Sequence, residues 1–410
     1  MELRNYLDRS NDFELHEIYP GVERSDYDYI AERQNLHGTT IIESTAHLIK
    51  ACLGAGILGI HEGYSYGGLW TSLVANILLG LFVPYNMLLL IDSAQRMYIR
   101  LRVPRLSYPD LVEAVIATGP LKCFRRFSKA FRYSVDSFLF LGFCSTCCIF
   151  EIMIAQTLKE VRNTLNTLRF PISIYILIVS VPLILICMIR SLKHLAPYSM
   201  VADVFCGVCV LFTVYYSILQ TKDEERPAWK SVQGLFRFCG VCIYSLDGIG
   251  VALPIENYMA QPQYFHIVVQ WGMAIVVLAV ACIGFFGYWA WGDNCRSPIT
   301  IHMPKNTVSI AIQFVLAATL GVTFSVHLWV PFKTIWYYIG RKHQRRRGHW
   351  ERLYRGIYVL VITCISIIFS DMTEWMSFVG NFFLGTVVFI FPAFIDSLVI
   401  WNENNLRYFR

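Results

Sequence analysis

The chain has 410 residues, 55% of them hydrophobic and 16% charged, with a formal net charge of +6 and a positive mean hydropathy. A soluble chain of this length does not need so much apolar surface, and the composition points to a polytopic helical membrane protein. The apolar runs are continuous rather than alternating, which argues against a porin-like barrel, and no Walker loop, Gly-x-Ser-x-Gly or His-Glu-x-x-His motif offers a catalytic constellation, so no enzyme is expected.

Residues 1–40 are acidic and tyrosine-rich and lack the apolar centre of a signal peptide, so they read as a mobile cytoplasmic tail. Ten apolar spans follow in a transmembrane domain over 41–400, at roughly 44–62, 69–92, 131–158, 172–190, 196–219, 235–255, 266–291, 307–332, 354–371 and 376–400. A short tail, 401–410, closes the chain.

The first span reads STAHLIKACLGAGILGIHE and is interrupted by Gly54, Gly56 and Gly59, with His47 and Lys50 before the interruption. The sixth contains LDGIGVALPIE, broken at Asp247, Gly248, Ile249 and Gly250 and again by Pro254. Glycine-interrupted segments at corresponding places in two halves of a membrane chain suggest a five-plus-five inverted repeat with a binding site at the breaks. The half-helix after each break can aim free N–H groups at an anion, while unwound carbonyls face a cation or an ammonium group.

Between spans two and three, SYPDLVEAVIATGP at 107–120 is too short to cross and reads as a cytoplasmic surface helix, stopped by Gly119-Pro120. Glu151 stands in the middle of the third span, where an ionisable group is costly and a functional candidate by default. Lys50 could pair with it or reach an interface. Asp247 could bind a proton, a cation or an ammonium group, or cap the following half-helix. Asp203 and Asp396 fall near span ends, and Glu43 and Glu256 read as surface groups at helix ends. His61-Glu62 lacks a second ligand at helical spacing, so no metal site is expected.

Basic residues fix the orientation. The loop after span two carries Arg96, Arg100, Arg102, Arg105, Lys122, Arg125, Arg126 and Lys129. The loop after span eight carries Lys333, Arg341, Lys342, Arg345, Arg346, Arg347, Arg352 and Arg355. Both lie on one side of a ten-span chain, and the opposite loops carry few positive charges, so both tails are expected in the cytoplasm. Beside a membrane span, the run at 345–347 reads as a topology and lipid signal rather than a nucleic-acid site. Most of the 13 cysteines sit inside apolar runs as packing residues, Cys144-x-x-Cys147 included. Only Cys295 falls in an outer loop, so no intrachain disulfide is expected.

The motifs HLIKACLGAGILG at 47–59 and LDGIGVALPIENYM at 246–259, with SLKHLAPYSMVADVF at 191–205 and VPFKTIW at 330–336, resemble those of the proton-coupled amino acid transporters of the amino acid/auxin permease superfamily. The likeness runs from about residue 37 to residue 400. It implies a secondary active transporter working by alternating access on small neutral amino acids such as glycine, alanine or proline, with a proton and no other cofactor. By this resemblance His47 is the proton-linked histidine and Gly54, Ala55, Gly56 and Ile57 receive the substrate. Ser245, Asp247, Gly248, Ile249 and Gly250 face them, and Asp247 is a second proton candidate. The expected location is the plasma membrane or a lysosomal/endosomal membrane, with no clear acidic dileucine signal to choose between them. Departures from the family pattern are His61 where a proline is usual, Asp247 for a glutamate, Leu246 for an aromatic residue, and ten spans where family members generally have eleven. An amino-acid sensor or an uncoupled facilitator is the alternative.

Overall fold

The computed structural model describes residues 27–33, 38–164, 170–189, 205, 207–208, 210–219, 225–304, 306–340 and 347–408. Apart from one isolated bridge between Thr39 and Met259, regular structure among them is helical. In chain order the helices are α1 (Tyr29–Arg33), α2 (Ile41–Cys52), α3 (Gly56–Gly67), α4 (Leu69–Leu101), α5 (Tyr108–Thr118), α6 (Lys122–Arg125), α7 (Ser128–Thr164), α8 (Ile172–Cys187) and α9 (Val210–Leu219). They continue as α10 (Val232–Ser245), α11 (Ile249–Tyr258), α12 (Phe265–Trp291), α13 (Thr307–Ile339), α14 (Arg347–Ile368), α15 (Met372–Val379) and α16 (Phe391–Tyr408).

Among the described residues, six helical segments are long and apolar enough to cross a membrane: α4, α7, α10 with α11, α12, α13, and α15 through α16. The pair α2 and α3 forms a seventh span bent by 54° at its break. The shorter apolar helices α8 and α9, together with α14, stand where spans four, five and nine are expected. The protein is therefore an all-α polytopic membrane protein. The stretch 191–204, with Asp203 and most of one quoted motif, lies outside the described residues, as do residues 1–26 and Arg345 and Arg346 of the second basic loop.

Local chemistry sets the helix starts. Thr40 and Glu43 form a capping box at α2: Thr40 Oγ1 accepts the Glu43 N–H at 3.3 Å, and Glu43 Oε2 accepts the Thr40 N–H at 2.8 Å. Ser107 caps α5, and Asp371 caps α15 through the N–H groups of Thr373 and Glu374. Two π-helical stretches, Gly380–Leu384 and Thr386–Ile390, carry α15 on into α16. At the first of these Gly380 lies directly on Gly240 of α10, an approach that a Cβ would prevent.

Contacts between α7 and α14 advance together along both helices: Cys144 with Tyr358, Cys148 with Ile362, and Glu151 with Thr363 and Ser366. The two helices run parallel. The last basic residues of each basic stretch, Lys129 in one and Arg347, Arg352 and Arg355 in the other, fall in the first turns of these helices, so the described parts of both stretches lie at one end of the molecule.

Two expectations need revision. The segment 107–120 is a helix but not a surface one. Leu111 and Val112 of α5 are fully buried against α7, and the Tyr108 hydroxyl donates to Val387 O at 2.7 Å. Its apolar face was long enough to need cover, and the bundle supplies it. Glu256 is not a surface group either. It is fully buried in an ion pair with Arg33 of α1, at 3.1 Å, and accepts from Gln95 and Tyr98 as well. Within the expected tail, residues 29–33 thus form a helix docked on the bundle, with Arg33 also donating to Pro104 O and Asn257.

Candidate functional site

The first break is built by Leu53, Gly54 and Ala55. Leu53 still donates to Ile49 O at 2.9 Å and ends α2, while the Gly54 N–H turns back to Cys52 O at 2.8 Å. No side chain caps α3, so the first N–H groups of that half-helix have no side-chain acceptor. At the second break Leu246 closes α10 by donating to Cys242 O at 3.0 Å. Asp247 Oδ1 accepts the Ile249 N–H at 3.4 Å, so the carboxylate caps the start of α11.

Glycine allows the two breaks to meet. A Cβ on Gly56 would stand 2.5 Å from Ser245 Cα, and one on Gly248 would run into Cys52 Sγ. The start of α3 is therefore seated on the end of α10, and the start of α11 on the end of α2. Gly54 is different, because a Cβ there meets no atom within 4 Å and the residue borders open space. Gly250 faces Leu139 of α7 at 3.7 Å. Ala55, Gly56, Ile57, Ser245, Gly248 and Ile249 are buried, and Gly54, Asp247 and Gly250 are partly buried. The Tyr244 hydroxyl, just before the second break, meets Thr146 of α7. These residues form one group around two touching helix interruptions.

His47 does not join them. It is exposed on α2, one turn after Glu43, whereas Leu48 and Cys52 on the same helix face Gly248. Lys50 is also exposed, and Glu151 bonds to hydroxyls of α14 instead of to it. Asp396, at the end of the last span, accepts from Ser93 at 3.2 Å.

Midway along α3 lies a closure against the 295–302 loop. His61 is fully buried and its Nε2 donates to Arg296 O at 3.0 Å. Its ring meets that of His302 edge-on at 5.7 Å, and His302 stacks on Trp291 at 4.7 Å. Glu62 accepts from the Ser297 N–H and the Thr373 hydroxyl, both at 2.7 Å, tying α3 to the 295–302 loop and to α15. Burial pushes the His302 imidazole down to about 4, so it is neutral and its Nε2 accepts the Arg296 N–H at 3.0 Å. The pair His61-Glu62 is a packing and latching element, and the departure from the usual proline is filled by a hydrogen-bonded ring.

Sequence reasoning missed Arg33, Thr363, Ser366, Ser297 and Thr373. Thr363 and Ser366 carried a signal, since two hydroxyls three residues apart share one face of an apolar helix. The partners of Glu62 and Glu256 come from remote segments and left no local trace.

Residues 37–408 match the profile of a family described as "Transmembrane amino acid transporter protein". The "Proton-coupled amino acid transporter-like protein pathetic" of Drosophila melanogaster is 29% identical over 395 residues, covering 94% of this chain and 82% of that protein. The "Probable amino acid transporter skat-1" of Caenorhabditis elegans is 24% identical over 370 residues, covering 87% of this chain and 80% of that protein.

Proposed function

This chain belongs to the transmembrane amino acid transporter family, and from that premise we propose that it carries small neutral amino acids such as glycine, alanine or proline with a proton, by alternating access. The observation that carries this reading is the contact between the two breaks, Gly56 on Ser245 and Gly248 on Cys52, beside the open space at Gly54. Uncapped N–H groups at the start of α3 suit a carboxylate. The carbonyl ends of α2 and α10, with Asp247, suit an ammonium group. On this reading Gly54, Ala55, Gly56 and Ile57 receive one end of the substrate, and Ser245, Asp247, Gly248, Ile249 and Gly250 the other. His47 and Asp247 are the first groups to test for the coupled proton, and no further cofactor is needed. The membrane is that of the cell surface or of an endosomal or lysosomal compartment, with both tails cytoplasmic.

The test is uptake of radiolabelled glycine, alanine and proline into proteoliposomes with and without an inward proton gradient. Gradient-stimulated accumulation supports the reading. The exposed position of His47, away from the breaks, favours an uncoupled facilitator as the second reading, and uptake insensitive to pH would select it. Binding of all three amino acids without flux would reject transport in favour of a sensor.

A further inference from the structure

Glu151 is the buried carboxyl group whose surroundings the breaks do not explain. It has no exposed surface, and among the described residues no lysine or arginine forms an ion pair with it. Its oxygens lie 2.7 Å from Thr363 Oγ1 and 2.9 Å from Ser366 Oγ. The same two hydroxyls stand 3.0 Å from the carbonyl oxygens of Val359 and Ile362, four residues earlier on α14.

Counting hydrogens decides what this cluster wants. Each hydroxyl has a single hydrogen and four oxygen–oxygen contacts compete for the two. With an ionised Glu151, two contacts stay without a hydrogen. A proton on the carboxyl donates to one hydroxyl, which then turns its own hydrogen to its backbone carbonyl, so three of the four contacts are filled. For a fully buried carboxyl group without an ion pair among the described residues, an unfilled contact between acceptors is costly. The titratable groups around Glu151 are thiols: Cys147 and Cys148 on its own helix and Cys187 on α8. On α13, His327 packs on Phe150 at 5.1 Å with its Nδ1 at 3.0 Å from Thr323 O. From α14, Arg355 faces Cys187 and is engaged with Glu351 and the carbonyls of Cys187 and Ile189.

We propose that Glu151, clasped between Thr363 and Ser366, is a proton-binding site of the transport cycle, separate from the residues of the two breaks. This rests on the proton-coupled reading above. Two features connect the site to the substrate region. Thr146, which meets Tyr244 at the second break, is five residues from Glu151 on the same helix, ~7.5 Å along its axis. Loss of the proton also frees that hydroxyl hydrogen from its α14 carbonyl to turn onto the carboxylate, and back-bonding of this kind often bends a helix locally. Protonation of one group thus changes the bonding of one turn of α14.

The experiment uses the full-length chain in proteoliposomes and radiolabelled alanine as the probe, with uptake read as the ratio with and without an inward proton gradient. Glu151→Gln, which is isosteric and cannot exchange a proton, is expected to bring that ratio to unity. Its thermal midpoint against wild type shows that it is folded. Thr363→Val and Ser366→Ala keep the carboxyl group but remove its donors, and each is expected to displace the pH of half-maximal stimulation. A merely structural hydrogen bond would not move that pH profile. Stimulation that survives intact in Glu151→Gln, or a pH profile unmoved in both hydroxyl variants, would overturn the proposal alone. A wild type without any stimulation would overturn it together with the coupled reading.

Discussion

Gly54 and Gly56 are two residues apart and make opposite demands. A methyl group at position 56 meets Ser245 backbone at 2.5 Å, so Gly56→Ala must push the two breaks apart, at a cost of about 1–3 kcal/mol. The expected result is a lowered thermal midpoint in detergent together with lost uptake. At position 54 the same methyl meets nothing, so Gly54→Ala should hold its midpoint and alter uptake selectively, discriminating more against larger amino acids. An equal loss of stability in both variants would contradict this contrast. Arg33 offers a second single-residue test. Removing its side chain strands the buried Glu256 carboxyl, which typically costs about 3–5 kcal/mol. Arg33→Ala should therefore lower the midpoint strongly, and adding Glu256→Gln should recover part of the loss. An Arg33→Ala protein as stable as wild type would show that α1 is not held by this pair.

Among the elements, the closure at α3 is expected to respond to acid through His302. The imidazole is held neutral in the folded loop with its ionisation near pH 4, against an ordinary value of about 6.5 when released. A base with a lowered value loses stability as the pH falls: the released loop takes up a proton first, so acidification from about 6.5 toward 4 favours opening. His302→Gln can still accept the Arg296 N–H and cannot titrate. Its thermal midpoint should fall less than that of wild type over this pH range, and equal falls would remove His302 from the closure. The elements also show what the sequence could and could not reveal. Both glycine breaks and the long apolar spans were legible, because each is written in one continuous stretch of sequence. The depth of α5 and the pairing of Glu256 with Arg33 were not, since they depend on which remote segment covers a face. The exposed setting of His47 was hidden for a related reason: a motif fixes the order of residues along a helix but not which face the neighbouring helices occupy.

At the scale of the molecule, the parallel run of α7 and α14 places the described parts of both basic loops at one end, and the charge rule predicts that this end faces the cytoplasm. Cys123 is an exposed thiol on α6 within the first basic loop. In cells with the protein at their surface, a membrane-impermeant maleimide is expected to modify Cys123 only after permeabilisation. Labelling in intact cells would invert the topology. The 54° bend between α2 and α3 has an electrostatic consequence for the whole assembly. Each break sets a carbonyl end of about −0.5 charge beside an amide end of about +0.5, and seating the breaks on each other joins two such pairs. The helix ends together carry no net charge, so the arrangement is a quadrupole. Its field fades quickly with distance and neither attracts nor repels a lone ion from afar. It favours only a solute that presents both signs at close range. A molecule with opposite charges a few bonds apart meets that requirement without leaving an excess charge in the lipid, and an amino-acid ester or an isolated amine does not.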